Sequence, residues 1–354
     1  MTREYSALGG HGAVDLNGQI LCTTCILPDT FPGIRFNSDG ICNHCTRKEG
    51  MTNDNTKEHY KGKFLDLITS IRKREPDRTG PEVLMAFSGG KDSTYTMWML
   101  KVVYGLKVIA FTFENGFTSG QAIKNINHVC AGLGITHIMV RQEQEELNRM
   151  FGKAATEDLY PTAQLQRASS ICTMCSNFFK SFAIRYALEN KIPLIAYGWS
   201  PGQAPIQAAI TQSKPAFVKS SQLLAIKVAV SIAGEQIKQH FIPDDLYSIP
   251  EDQWPYNVHP LAYEDYTEEM VLEHIETLGW RLPGDVDTNS TNCLLNAYAN
   301  EAHLRKYKFH PYVWEIANMV RQKIMTRDEG IEKIYTPQNM KLVDYGEERL
   351  QISK

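Results

Sequence analysis

The feature that most constrains the fold is a loop, Ser88-Gly89-Gly90-Lys91-Asp92-Ser93, that follows a short apolar run. The run, residues 83–87, has the character of a buried strand, and residues 94–103 after the loop have the composition of a helix. Glycines between a strand and a helix let backbone N–H groups approach an anion, and the helix N-terminus adds partial positive charge. Lys91 adds a full charge, so the loop predicts a phosphate site.

This loop differs from the Walker A motif, which places four residues between its first glycine and the Gly-Lys-Ser/Thr that ends it. Its positions instead resemble the pyrophosphate loop, SGGxDS, of the ATP pyrophosphatases. The resemblance implies an enzyme that binds ATP with Mg²⁺, cleaves it between the α and β phosphates and adenylates a substrate. The alternative is a glycine-serine turn that only joins a strand to a helix.

The same resemblance assigns roles to individual residues. Lys91 would stabilise the departing pyrophosphate, and Asp92 would either orient the metal or cap the helix. The expected nucleotide-binding residues are Ala86, Phe87, Ser88, Gly89, Gly90, Lys91, Asp92, Ser93, Phe113 and Gly198. Glu114 is either a Mg²⁺ ligand or an ordinary surface carboxylate.

Apolar and amphipathic stretches alternate along the chain from residue 82. After the loop, the expected strands are residues 107–113, 136–141 and 193–197, and the expected helices are residues 121–133 and 177–190. Such alternation predicts an α/β fold with a parallel sheet covered by helices on both faces. The resemblance implies that this is an adenine nucleotide alpha hydrolase (HUP-like) domain. Ligands of such sheets bind where the strands end, which places residues 113–116 and 198–200 around one cleft with the loop.

Four early cysteines form two CxxC pairs, Cys22 with Cys25 and Cys42 with Cys45, separated by sixteen residues. Two such pairs can supply four thiolates in a tetrahedral arrangement around Zn²⁺. Four protein ligands leave no open position, which indicates a structural rather than a catalytic ion. His44 lies inside the second pair and could replace Cys45 as a ligand, although a solvated histidine is the simpler interpretation.

A second group of cysteines consists of the pair Cys172 and Cys175 and the isolated Cys293. Three cysteines leave a four-coordinate metal one ligand short, which is typical of a [4Fe–4S] cluster with one open iron able to hold sulfide. A helix that begins at residue 177 would favour the thiolate form of Cys175. The alternatives are a redox or persulfide CxxC pair, or three structural cysteines. We expect Cys130, on the apolar face of a predicted helix, to pack in the core.

Two enzyme families that carry this loop resemble different parts of the chain. Residues 22–42, the loop and residues 325–330 (MTRDEG) resemble the N-acetyl sugar amidotransferases, in which ammonia from a partner glutaminase displaces AMP. The pattern of Cys172, Cys175 and Cys293 is similar to that of the cluster-dependent tRNA thiolases. There the three cysteines bind [4Fe–4S], and sulfur replaces the activated oxygen.

We therefore expect an ATP-dependent sulfurtransferase that adenylates a carbonyl or amide oxygen of a small molecule, such as a nucleobase or a sugar. Its catalytic residues would be Lys91, Asp92, Cys172, Cys175 and Cys293. An N-acetyl sugar amidotransferase and a tRNA thiolase are the alternatives within this chemistry. A nucleotide-binding or zinc scaffold protein without activity is the alternative outside it.

The formal net charge of −3 gives no overall basic field for nucleic acid. We expect a small-molecule substrate, a sulfur-donor or glutaminase partner, and a homodimer as a candidate assembly. Basic residues at 305–308 form either a local patch for tRNA or a solvated helix face. The longest apolar stretch, residues 223–234, contains Lys227 and is too short to span a bilayer. These features predict a cytoplasmic protein whose thiols are reduced.

The chain is expected to divide into four parts. These are a zinc ribbon at residues 1–50, a linker and helix at 51–80, a pyrophosphate-loop domain at 81–240 and a mostly helical region at 241–354.

Overall fold

The computed structural model describes residues 15–16, 18–48, 51–287 and 290–352; residues 1–14 of the expected ribbon lie outside them. The strands are β1 (Asp15–Leu16), β2 (Gln19–Ile20), β3 (Val83–Ala86), β4 (Val108–Glu114), β5 (Thr136–Arg141), β6 (Leu194–Tyr197), β7 (Ile210–Gln212) and β8 (Tyr256–Val258). The helices are α1 (Asn43–Thr46), α2 (Asp54–Arg74), α3 (Lys91–Trp98), α4 (Gly120–Leu133), α5 (Gln144–Thr156), α6 (Ser170–Glu189), α7 (Pro215–Ala233), α8 (Glu268–Thr277), α9 (Asn296–Tyr307), α10 (Val313–Arg321), α11 (Arg327–Tyr335) and α12 (Met340–Arg349).

The main sheet has six strands in the order β5-β4-β3-β6-β8-β7. All neighbouring pairs are parallel except β7 with β8. The predicted α/β fold is confirmed, and the strands after the loop lie within one residue of their predicted bounds. The sequence did not reveal β7 and β8, because each has three residues and lies among short 3₁₀ turns.

The central strand β3 carries the phosphate-type loop at its carboxyl end. Val83, Leu84 and Met85 are fully buried, since β3 lies between β4 and β6. Lys91 is the first residue of α3, so the helix starts inside the loop and not at residue 94 as predicted. The last predicted turn of this helix, Met99–Val103, is π-helical. The loop therefore lies directly against the N-terminus of a helix.

Another helix also starts earlier than the sequence suggested. α6 begins at Ser170, where the Ser169 hydroxyl caps the helix by accepting from the Cys172 amide, so the predicted start at residue 177 is wrong. The reason is that no proline or glycine interrupts residues 170–189. α2 begins at Asp54 behind an Asn53 cap and ends at Arg74, within the segment 51–80 that was expected to hold a linker and a helix. Cys172 and Cys175 consequently lie within the first turns of α6.

Among the described residues, α7 is the one helix whose length and composition would let it cross a membrane. It extends further toward the N-terminus than the apolar stretch noted in the sequence, because Pro215 occupies its first turn. About a third (33%) of that window is buried, and α7 packs against α5 and α6. The core helix of a globular protein satisfies the same criteria of length and composition.

The C-terminal helices hold the cysteine-rich N-terminal segment in place. The Arg327 guanidinium donates to the backbone carbonyls of Cys22 and Cys25, at 3.0 to 3.2 Å, and the Tyr335 hydroxyl donates to the Ile26 carbonyl at 2.8 Å. Thr326 and Glu329 form a capping box that starts α11. A side chain on Gly330 would lie 2.9 Å from a Val320 methyl, so only glycine lets α11 approach α10 this closely.

Candidate active site

Two glycines of the loop are required by its geometry. Gly89 has a φ of +76°, and a Cβ there would lie 2.7 Å from the Ala122 carbonyl oxygen. The Gly90 amide donates to the Ser88 hydroxyl at 3.3 Å, and the Ser88 and Ser93 hydroxyls are 3.1 Å apart. Outside the loop, the buried indole of Trp280 donates to the Gly89 carbonyl at 2.9 Å. The loop is thus fixed from the C-terminal region, which no sequence pattern indicated.

Lys91 and Asp92 form a closed triangle with Tyr266. The Lys91 ammonium donates to both Asp92 carboxylate oxygens (2.9 and 3.0 Å) and to the Tyr266 hydroxyl (2.8 Å), which in turn donates to Asp92 (2.8 Å). Burial opposes the charge on Lys91, but the carboxylates of Asp92 and Glu268 outweigh it and raise the pKa of Lys91. Lys91 therefore carries a full positive charge beside the loop. Tyr266 was missed because a lone tyrosine before a helix has no motif.

Glu315 of α10 lies on the other side of these residues. The Ser200 hydroxyl donates to its carboxylate, and Ser200 belongs to the segment that follows β6. Burial raises the pKa of Glu315 to about 7, and the nearby Asp92 carboxylate adds to the effect. A cavity of about 110 Å³ is lined by Lys91, Asp92, Glu315 and their neighbours. No sequence pattern indicated Glu315, because its role depends on a helix more than two hundred residues after the loop.

The structure brings the second cysteine group to the loop. A cavity of about 320 Å³ lies at the carboxyl ends of β3, β4 and β6. Its walls include the predicted residues Ala86, Phe87, Ser88, Ser93, Phe113, Gly198, Cys172, Cys175 and Cys293. Gly198 is packed against the loop, since a Cβ there would lie 2.4 Å from the Ser93 Cα. Residues from three distant parts of the sequence therefore face one space.

The three cysteines reach this cavity from two elements. Cys172 and Cys175 project from the start of α6, and Cys293 lies in a segment that pairs with Thr118 through an antiparallel bridge. The Asn115 side-chain amide, just after β4, donates to the Cys175 sulfur at 3.6 Å. Asn115 was not predicted, although it follows a strand end where ligands of such sheets bind.

The protein environment keeps these thiols protonated. Burial raises the pKa of Cys175 and of Cys293 to about 12, and it also raises the pKa of Cys172. The premise of the prediction for Cys175, a helix start at residue 177, is wrong because α6 begins at Ser170, and burial raises rather than lowers the pKa of this thiol. A metal centre would have to replace these protons when it binds.

The spacing of the three sulfur atoms bears on the kind of metal centre they fit. Within the described chain, the sulfurs of Cys172, Cys175 and Cys293 do not all lie within 4.8 Å of one another, unlike those of the N-terminal group. Thiolates that share one tetrahedral ion must be that close. A [4Fe–4S] cluster binds each cysteine to a different iron and accepts wider spacing. Three soft donors around a cavity therefore fit a cluster better than a single ion.

The four N-terminal cysteines form a compact group. Their sulfur atoms all lie within 4.8 Å of one another, with 3.9 Å between Cys22 and Cys45 and 3.8 Å between Cys25 and Cys42. Zinc–sulfur bonds of about 2.3 Å in a tetrahedron place ligand sulfurs about 3.8 Å apart. The amides of Cys25 and Cys42 donate to the Cys22 sulfur, at 3.4 and 3.2 Å. This donor set fits a structural zinc ion.

Three sequence expectations lie outside these two centres. His44 is half-buried rather than fully solvated, and its ring packs edge-on against Trp314 at 4.9 Å. Glu114 accepts from the Gly116 amide at 2.8 Å and caps the turn after β4. Cys130 is buried as predicted.

Two of the three basic residues at 305–308 are paired with carboxylates. Arg305 pairs with Glu301 and Glu347, and Lys306 pairs with Asp158. Their charges are therefore largely neutralised within the protein.

Comparison with known proteins identifies the central part of the chain. Residues 82–237 match the family model described as queuosine biosynthesis protein QueC. An uncharacterized protein, MJ1599 of Methanocaldococcus jannaschii, is 23% identical over 254 residues, which cover 72% of each chain.

Solved structures give weaker likenesses. The U34-tRNA thiolase NcsA from Methanococcus maripaludis, with its [4Fe-4S] cluster, has 18% identity and a TM-score of 0.36, covering 94% of this chain and 89% of its own. An NH3-dependent NAD synthetase from Campylobacter jejuni has 15% identity and a TM-score of 0.29, covering 41% and 58%. These scores are too low to transfer any residue role. Residues 82–237, through the match to the QueC model and the geometry of the loop, are similar to the PP-loop ATP pyrophosphatase family, whose members are ATP-using enzymes.

Proposed function

We propose that the chain is an ATP-dependent sulfurtransferase that adenylates a carbonyl or amide oxygen of a small molecule and replaces that oxygen with sulfur. The observation that carries the proposal is the shared cavity: Cys172, Cys175 and Cys293 line the same space as Ser88 and Ser93 of the PP-loop. A nucleophile that displaces AMP must reach the activated carbon while the nucleotide is still bound. Three thiols beside the loop satisfy this requirement.

The first half of the reaction uses residues of the loop. ATP, with Mg²⁺, would bind with its phosphates over residues 88–93, and the substrate oxygen would attack the α phosphorus. The bond from that phosphorus to the bridging oxygen breaks, and pyrophosphate leaves with the electron pair. Lys91 and the loop amides stabilise its charge, so this step depends on positioning and electrostatics. Tyr266 keeps the Lys91 ammonium beside the loop.

The second half takes place at the cysteines. Cys172, Cys175 and Cys293 would hold a [4Fe–4S] cluster, whose chemistry there would be to supply sulfide. Replacement of the oxygen by sulfide would form a carbon–sulfur bond and break the carbon–oxygen bond, so that AMP would leave with the former substrate oxygen. No oxidation or reduction is required. Asn115, which contacts the Cys175 sulfur, would orient the thiolate that replaces the present thiol.

A small acceptor fits this site better than tRNA. The cavity is about 320 Å³, and the basic residues Arg305 and Lys306 are paired with carboxylates. A tRNA acceptor would need a basic surface for its phosphates.

The proposal has three further parts. The N-terminal cysteines would hold a structural zinc ion, and the chain would divide into the four parts expected from the sequence. The protein would lie in the cytoplasm, where thiols stay reduced.

Ammonia transfer is the second candidate. It is favoured by one observation: two parts of the chain that resemble the sugar amidotransferases touch each other, through Arg327 and the carbonyls of Cys22 and Cys25. In that case a glutaminase partner would supply the nucleophile, and the three cysteines would have a structural role.

One labelling experiment separates the two candidates. Anaerobically prepared protein is incubated with ATP, a fraction of small metabolites, ³⁴S-sulfide and ¹⁵N-ammonium, and products are analysed by mass spectrometry. The proposal predicts pyrophosphate release and ³⁴S in a product, both lost in Lys91→Ala, with the label alone lost in Cys293→Ala. Incorporation of ¹⁵N without ³⁴S would contradict it and favour the amidotransferase.

A further inference from the structure

The segment from Ser290 to Cys293 touches both reacting centres. The Thr291 hydroxyl accepts a hydrogen bond from the Lys91 backbone amide at 3.2 Å, within the PP-loop. Two residues later, Cys293 lines the cavity with Cys172 and Cys175. One short segment therefore connects the phosphate loop to the cysteine site, and sequence reasoning had singled out only Cys293 in it.

Backbone hydrogen bonds hold the second half of this segment. The Ser119 amide donates to the Asn292 carbonyl, and the Leu294 amide donates to the Phe117 carbonyl, both at 2.8 Å. The Ser290 hydroxyl accepts from the amides of Asn292 and Cys293, at 3.3 and 3.1 Å. The Thr291 side chain is therefore placed over the loop by the same contacts that place Cys293 in the cavity.

The Thr291 hydroxyl occupies a position that a phosphate oxygen would need. Lys91 is the first residue of α3, so its amide is one of the donors that a helix N-terminus leaves for an anion. Gly90, the residue before it, has no side chain to cap the helix. A Cβ on Gly90 would lie 2.7 Å from the Thr291 hydroxyl oxygen, so this oxygen lies directly in front of the loop. One N–H group makes one well-aligned hydrogen bond. The Thr291 hydroxyl and a phosphate oxygen would therefore compete for the Lys91 amide.

We propose that Thr291 is a positioning residue that couples the two centres: phosphate displaces its hydroxyl from the Lys91 amide, and residues 290–291 then move away from the loop while the bonds to Ser119 and Phe117 still anchor Asn292 and Leu294, which opens access to Cys293. The inference rests on the proposed binding of nucleotide phosphates at the loop. It goes further by making the state of Cys293 depend on whether the loop is occupied. Cys293, a proposed cluster ligand, would then respond only after nucleotide has bound.

The affinity for pyrophosphate distinguishes a competitor from an ordinary ligand. Thr291→Val keeps the shape but removes the hydroxyl, so the free protein loses a hydrogen bond that pyrophosphate no longer has to break. Binding of pyrophosphate, measured by calorimetry, should become roughly two- to tenfold tighter. Thr291→Ser should bind as the wild type does, and so should Thr211→Val, a control on the exposed face of β7. Weaker binding in Thr291→Val would overturn the proposal, because it would make Thr291 a direct phosphate ligand.

The reactivity of Cys293 tests the coupling without activity or a cluster. Reduced, metal-free protein is treated with methyl methanethiosulfonate, and peptide mass spectrometry gives the rate at each cysteine. Pyrophosphate should raise the Cys293 rate at least twofold in the wild type and in Thr291→Ser, with Cys175 as reference. In Thr291→Val the rate should be high without pyrophosphate and should not respond to it. Pyrophosphate binding with an unchanged Cys293 rate would overturn the coupling alone, whereas failure of both ATP and pyrophosphate to bind would overturn the proposed function as well.

Discussion

The Asn115 side-chain amide donates a hydrogen bond to the Cys175 sulfur, at 3.6 Å. Asn115 follows β4 and Cys175 lies in α6, so this contact joins a strand end of the PP-loop sheet to the cysteine site. The bond favours the thiolate, and it opposes the burial that raises the pKa of Cys175. It is therefore a direct link between the sheet that would hold the nucleotide and a sulfur that would hold the cluster.

Loss of this contact should make Cys175 less reactive. In metal-free Asn115→Leu, the rate of Cys175 alkylation at pH 8 should fall roughly tenfold, because a hydrogen bond to a charged group is removed. Cys172 serves as the reference in the same sample, because Asn115 does not affect the pKa of Cys172. An equal fall at both cysteines would indicate a general change of the cavity, contrary to the account.

Lys91 should be required for the first half-reaction. Lys91→Ala and Asp92→Ala should fold normally but release pyrophosphate from ATP at least roughly 100-fold more slowly, because the positive charge beside the loop is lost or misplaced. Lys124→Ala, an exposed lysine on α4, is the matched control. Pyrophosphate release should be followed at saturating ATP. Near-normal turnover in Lys91→Ala would show that the loop is not the catalytic site.

The N-terminal cysteines should hold one zinc ion whose stability depends on Arg327. Cys22→Ser and Cys42→Ser should lose the zinc, measured by atomic emission. Arg327→Ala should keep it at first but release it faster to a chelator, because the bonds to the Cys22 and Cys25 carbonyls are gone. Lys341→Ala, an exposed residue of α12, should behave as the wild type does. Full zinc content in Cys22→Ser would disprove the site.

Glu315 should make stability depend on pH. The pKa of Glu315 in the folded protein, about 7, lies above the usual value of 4.5. Its contribution to the free energy of unfolding is therefore present below pH 4.5 and is lost as the pH rises through about 7. Glu315→Gln cannot ionise. Its free energy of unfolding relative to the wild type should therefore rise by up to about 3 kcal/mol from pH 5 to pH 8. Urea unfolding measures this, with the exposed Glu276→Gln as control. Parallel curves for Glu315→Gln and the wild type would contradict the assignment.

Local features of the sequence were sufficient to predict much of the fold. The strand before Ser88, the glycine loop and the two CxxC pairs each lie within a few residues, and the structure shows the expected elements there. The start of α6 was missed because Ser169 is an ordinary-looking cap, and the cysteines that follow are uncommon in helices.

Contacts between distant segments could not be predicted. Tyr266 bonds to Lys91, Thr291 to the Lys91 amide and Ser200 to Glu315, and each pair is separated by more than a hundred residues. None of these side chains lies in a recognisable motif. Their roles follow from the way α8 and α10 pack around the loop, which depends on the complete fold.

The central claim is that Cys172, Cys175 and Cys293 hold a [4Fe–4S] cluster beside the PP-loop. The most direct test is the iron, sulfide and zinc content of strictly anaerobic protein, before and after reconstitution. The account predicts a brown protein with about four iron and four sulfide per chain, lost in Cys172→Ala, Cys175→Ala and Cys293→Ala while the zinc remains. Cys130→Ala, which changes a buried cysteine of α4, should keep the iron. A colourless, iron-free wild-type protein after reconstitution would contradict the claim.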